Sequence, residues 1–123
     1  MIGRLVADRL RLACESGSAE RLATLLAPDV TAAVDSGGKP GFVTRPVHGV
    51  AETTRAVLDV LAGSAISVQS VNGQAGLVVR CVDRVSAVAT FSVDGGRVTA
   101  IWLVLNPDKL RHWNDYAGRH GTW

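Results

Sequence analysis

The chain has 123 residues, of which 47% are apolar and 20% charged, with a net charge of +2. That length supports one domain whose core needs no staples, and the apolar content excludes a disordered chain. Its Lys and Arg residues are spread along the sequence rather than clustered, which excludes the basic footprint of a nucleic-acid binder.

The chain opens as a helix. Ile2, Leu5, Val6, Leu10 and Ala13 recur at three- and four-residue spacing, with Arg4, Asp8, Arg9 and Arg11 between them. Ser16-Gly17-Ser18 breaks the period. A short second helix follows, burying Ala19, Leu22, Ala23, Leu25 and Leu26, and Pro28 closes it. Val30 to Val34 reads as a short strand. Asp35-Ser36-Gly37-Gly38-Lys39-Pro40-Gly41 strings turn-forming residues into a loop. Phe42 to Val47 reads as a second short extended piece, with Pro46 marking an edge. From Val50 the helical period returns on Val50, Thr54, Val57, Leu58 and Leu61, and Gly63 suits a C-terminal cap.

Four strands complete the pattern. Ala65 to Val71 and Ala75 to Val82 flank the turn dipeptide Asn72-Gly73. Asp83-Arg84 leads tightly into Val85 to Val93, and Asp94-Gly95-Gly96 turns the chain into Arg97 to Leu105. Asn106 then caps a short helix that starts at Pro107, a residue favoured there because its missing N–H would be unpaired anyway. Helices first and consecutive antiparallel strands last is the α+β pattern. One domain over 1–115 with a tail over 116–123 is expected.

The strands are apolar on both sides. Leu77 and Val79 oppose Val78 and Val82, and Trp102 and Val104 oppose Ile101, Leu103 and Leu105. A sheet with one wet face should alternate cleanly. Both faces therefore need cover, and a homodimer through the sheet is expected. The alternative is a curved sheet that closes partly over itself. Cys14 and Cys81 fit no ligand spacing and read as small buried hydrophobes in a reducing compartment. Charges at Asp8 and Arg9 exclude a signal peptide, and no run approaches the roughly 18 apolar residues of a membrane helix. A cytoplasmic protein is expected, with no metal, no cofactor, no membrane contact and no direct nucleic-acid binding.

The element order is similar to the cone-shaped SnoaL-like fold of the nuclear transport factor 2 superfamily, in which three N-terminal helices pack on a curved, mainly antiparallel sheet. Several segments carry a closer resemblance. They are Leu25-Leu26-Ala27-Pro28-Asp29-Val30, Asp35-Ser36-Gly37-Gly38-Lys39, Arg45-Pro46-Val47-His48-Gly49, Val71 to Val78, and Ile101 to Leu110, which ends Asn106-Pro107-Asp108-Lys109-Leu110. In this order they resemble the C-terminal domain of SigJ-like extracytoplasmic-function sigma factors over roughly residues 5 to 114. Ser36 stands where that family usually has glycine. The resemblance implies a regulatory extension that packs on the sigma region binding promoter and polymerase, with both polar segments near the contact. The start at Met1 suggests a free-standing relative that lacks those sigma regions, the alternative being a piece cut from a longer product.

Candidate site residues follow. The contact set for a ligand or partner is Asp35, Gly37, Gly38, Lys39, Asn106, Asp108 and Lys109. Each segment also has a local explanation, as an Asx-held turn and as a helix start. Trp102 reads as core or sheet interface, or as the wall of a pocket. Arg80 sits among apolar residues and either reaches the rim or pairs with a carboxylate or an anionic ligand. Asp35 and His48 are the candidate acid–base residues of an isomerase- or cyclase-like alternative. The central strands carry Leu, Val, Ala and Ser, and the single tyrosine is Tyr116. Such a lining can bind a small apolar ligand but has little to do chemistry with. The leading expectation is a non-catalytic regulatory or binding module.

Overall fold

The structure, a computed structural model, describes residues 2–38 and 45–120, with side chains for residues 3–38 and 45–114. The elements run α1 (Ile2–Glu15), α2 (Ala19–Leu25), β1 (Leu26–Asp35), β2 (Val47–His48), α3 (Val50–Leu61), β3 (Ala65–Val71), β4 (Gln74–Cys81), β5 (Arg84–Asp94), β6 (Arg97–Val104) and α4 (Pro107–His120). The strands form one curved, open sheet in the order β2-β1-β6-β5-β4-β3. All neighbouring pairs are antiparallel except β1 with β6, which run parallel. This is the expected α+β architecture.

Alternation along the strands explains the layers. Val30 and Ala32 of β1, Leu77 and Val79 of β4, Ala87, Ala89 and Phe91 of β5, and Ile101 and Leu103 of β6 face one way. They meet Val6, Leu10 and Ala13 of α1, Leu22 of α2, and Val57 and Leu61 of α3. Leu22, Leu77 and Leu103 are sealed from solvent, and burying side chains of that size contributes about 1.5–3 kcal/mol each. Ser18 caps α2 by accepting a bond from Arg21 N at 3.1 Å. Glu15 at the end of α1 accepts from Ile66 N at 3.2 Å and so ties the helix layer to edge strand β3.

The other sheet face is the one whose cover was expected from a second copy. Part of that cover comes from the chain itself. Leu110 and Trp113 of α4 pack on Val71, Val78, Val85, Val88 and Val104. Asn114 fixes the helix there: its Oδ1 accepts from Val85 N at 2.7 Å, and its Nδ2 donates to Val85 O at 3.1 Å. The helix expected to be short therefore spans 14 residues.

Several local expectations change. Leu26 begins β1 instead of ending α2, and Pro28 lies inside β1. The β1–β6 register is irregular between Leu26 and Thr31, so no ladder bond is asked of the proline. Leu5 and Leu12 of α1 stay exposed, and Cys81 is exposed while Cys14 is buried. Burial pushes the Cys14 thiol up to about 12, with the Glu15 charge adding to the effect. Of the extended piece expected over 42–47, residues 42–44 lie outside the described residues. Among the described residues no helix is long and apolar enough to cross a membrane.

The β4–β5 connection is Val82-Asp83 rather than Asp83-Arg84. Val82 takes a φ of 61° and is 96% exposed. A β-branched residue in the left-handed region is strained, by roughly 1–2 kcal/mol, and this one buries nothing in return. Val82→Gly is expected to raise stability by about 1 kcal/mol, allowing for glycine's extra chain entropy. The urea midpoint should move up at unchanged slope. A midpoint that stays put or falls would show that the turn holds no such strain.

Candidate functional site

The two polar segments singled out in the sequence meet at one end of the β1–β6 seam. The Asp35 carbonyl accepts from Leu105 N at 2.7 Å and from Asn106 N at 3.0 Å. This aligns the ends of two strands that lie far apart in sequence. Asp35 Oδ1 then accepts from Gly37 N and from Asn106 Nδ2, each at 3.3 Å, and Asp35 Oδ2 pairs with Lys109 Nζ. Asn106 caps α4 as expected, its Oδ1 accepting from Asp108 N at 3.1 Å. Pro107 takes the first helical position.

The chemistry of this junction follows from its bonds. Lys109 above all, with the Gly37 amide and Asn106, holds the Asp35 carboxyl below its ordinary value of 3.8. Asp35 is thus an ionised acceptor with both oxygens occupied. The exposed surface around it is formed by Gly37, Gly38, Asp108 and Lys109, with Asp108 held by Arg111 at 2.9 Å. Gly37 is required by more than its φ of 66°. A Cβ there would stand 2.9 Å from Asn106 Oδ1 and 3.3 Å from Asn106 Cα, so any side chain at this point would press on Asn106.

The other candidates are scattered. Lys39 lies outside the described residues. His48 is exposed on β2 and lines a cleft with Glu52, Arg55 and Asp59 of α3, whereas Asp35 has its partners at the start of α4. The two proposed acid–base residues thus have different neighbours. Asp35 also projects toward α4, away from the inner face that Val30 and Ala32 occupy. That removes it from the apolar interior where burial could raise its pKa. Arg80 borders a shallow cleft with Glu15 and the edge strand β3. Trp102 is 46% exposed on the outer face, between Ala33 and Thr90 in register. Its neighbours Ile101 and Leu103 take the inner positions, so Trp102 is neither core nor a wall of the inner layer. Among the described residues no group of three or more His, Cys, Asp and Glu side chains could hold a metal ion.

One feature escaped the sequence. A groove of about 720 Å³ runs between α4 and the outer sheet face, bordered by Gln69, Thr90, Val104, Lys109, His112 and Trp113. Asn114, which seats α4, had a faint signal: asparagine is a poor helix former, and mid-helix it usually bonds elsewhere.

This α+β fold matches the cone of nuclear-transport-factor-2-like structures. It resembles the C-terminal region of SigJ. The ECF RNA polymerase sigma factor SigJ of Mycobacterium tuberculosis (strain ATCC 25618 / H37Rv) is 30% identical over 118 residues, which cover 85% of this chain and 38% of that protein. The crystal structure of SigJ superposes with a TM-score of 0.70 at 31% identity, over 89% of this chain and 44% of that one. The chain thus spans less than half the length of SigJ. A putative ketosteroid isomerase from Kribbella flavida DSM 17836 superposes at 0.60 with 18% identity, over 84% of this chain and 76% of that one, a likeness of fold alone. No protein-family model matches the chain.

The lowered pKa of Asp35 has a consequence for stability. A carboxyl with a depressed folded value stabilises fully above its unfolded value of 3.8, and that contribution disappears as pH falls through the lower folded value. Asp35→Asn should therefore be less stable than the parent at neutral pH. Urea midpoints across pH should show a constant gap down to about pH 4 and a narrowing gap below it. A gap that widens on acidification would contradict the ion-pair geometry.

Proposed function

We propose that this chain is a non-catalytic regulatory module of the SigJ type that works in the cytoplasm and docks on a protein partner through the junction of β1 with α4. One observation carries the reading. Asp35 and Asn106, 71 residues apart in sequence, bond directly and bring Gly37, Gly38, Asp108 and Lys109 onto one exposed surface. A surface with both charge signs suits recognition of a folded protein, where polar complementarity sets register and partner choice. The part of SigJ that this chain does not span is the partner chemistry to try first.

The isomerase or cyclase alternative needs a base with a raised pKa in an apolar pocket. Asp35 is held low and outside the inner layer, and His48 is exposed, so neither residue favours it. A homodimer stays within the reading, and the strip around Trp102 that α4 leaves open is the surface it would use.

The docking reading is tested by mixing the chain with SigJ shortened by the region it matches and measuring association by calorimetry. A complex is expected, weakened about tenfold by Lys109→Glu, since removing one partner of an interfacial charge contact costs roughly 1.4 kcal/mol or more. No complex, or one that is indifferent to Lys109→Glu, would contradict the docking surface.

A further inference from the structure

The groove under α4 has a definite chemical character. Its floor is apolar, built from Val88, Val104 and Leu110, and Trp113 forms one side. Its charged or chargeable border residues are Lys109 and His112, and among the described residues no carboxylate lines it. Its volume, about 720 Å³, falls in the range of small-molecule sites. An apolar floor beside an aromatic wall accepts a flat hydrophobic body, and a cationic border selects an anionic head group.

We propose that this groove binds a small aromatic carboxylate, with its ring system on Val88, Val104 and Trp113 and its carboxylate on Lys109. The ammonium is within reach of such a ligand because the Lys109 side chain is 64% exposed. Its pairing with Asp35 is no bar. An ion pair open to solvent holds weakly, and an incoming carboxylate replaces one anionic partner with another. Asp108, the neighbouring acid on α4, is turned to Arg111. The site deepens the reading of this chain as a binding module, and it adds a link. A ligand on Lys109 loosens the Asp35 pair and so alters the junction from the groove side. The groove stands on its own lining, so it survives even where docking on shortened SigJ fails.

The test is calorimetry on the full chain with 2-naphthoate and with uncharged 2-naphthamide as probes. Naphthoate is expected to bind one to one, about tenfold more tightly than the amide, as befits a charge-assisted contact. Lys109→Met should abolish that preference. Thr90→Trp, which fills the groove from an outer-face position, should weaken both probes. Thermal melts of both variants confirm that they fold, and a second lysine-free variant, Lys109→Gln, serves if Lys109→Met does not. Failure of naphthoate to bind the folded parent chain, equal affinity for the two probes, or a preference that survives loss of Lys109 would overturn the proposal.

Discussion

The parallel seam between β1 and β6 is the contact on which the rest of the structure depends. It places a strand from the helical half of the chain beside the last strand of the meander, with Thr31 opposite Ala100 and Asp35 opposite Val104. Parallel pairing cannot be made by a hairpin, and here the crossover is nearly everything between the two strands. Because β1 joins at β6, the sheet acquires its order, and α3 is drawn over β1 on the inner face. The seam ends at Asp35, whose carbonyl takes two amides from the β6–α4 connection. That sets where α4 begins and the direction in which it leaves.

Much of this could be read from residue pattern. Helix periods in α1 and α3, the Asn72-Gly73 and Asp94-Gly95-Gly96 turns, and the Asn106-Pro107 helix start are local signals with local causes, and they survive in the fold. What could not be read was non-local. Nothing in Leu26 distinguishes the last turn of a helix from the first residue of a strand, and the seam with β6 decides it. The two-sided apolar strands correctly demanded cover on the outer face. The sequence could not say that α4 would supply part of it, because that depends on Asn114 reaching the main chain of Val85. Trp102 invited a buried role by its size, yet strand alternation gives the interior to Ile101 and Leu103. Val82 at positive φ is invisible to propensity, which favours valine in strands.

Part of the contact set named from the sequence meets in the structure, but its chemistry was not legible. Asp35, Gly37, Asn106 and Lys109 do converge. Their bonds turn the carboxylate into a structural acceptor rather than a base. A carboxyl suited to proton abstraction at neutral pH is raised by burial, while this one is lowered by an ammonium and by amide donors. The same bonds join two surfaces. Lys109 belongs to the junction through Asp35 and to the groove through its position on α4.

The Asp35–Gly37–Asn106 contact holds the ends of β1 and β6 together. Amide hydrogen exchange in Gly37→Ala tests it most directly, because the added Cβ would lie 2.9 Å from Asn106 Oδ1. The Leu105 and Asn106 amides, which bond to the Asp35 carbonyl, are expected to lose at least about tenfold protection while the β3–β4 ladder keeps its own. Unchanged protection at Leu105 and Asn106 in a folded Gly37→Ala protein would contradict it.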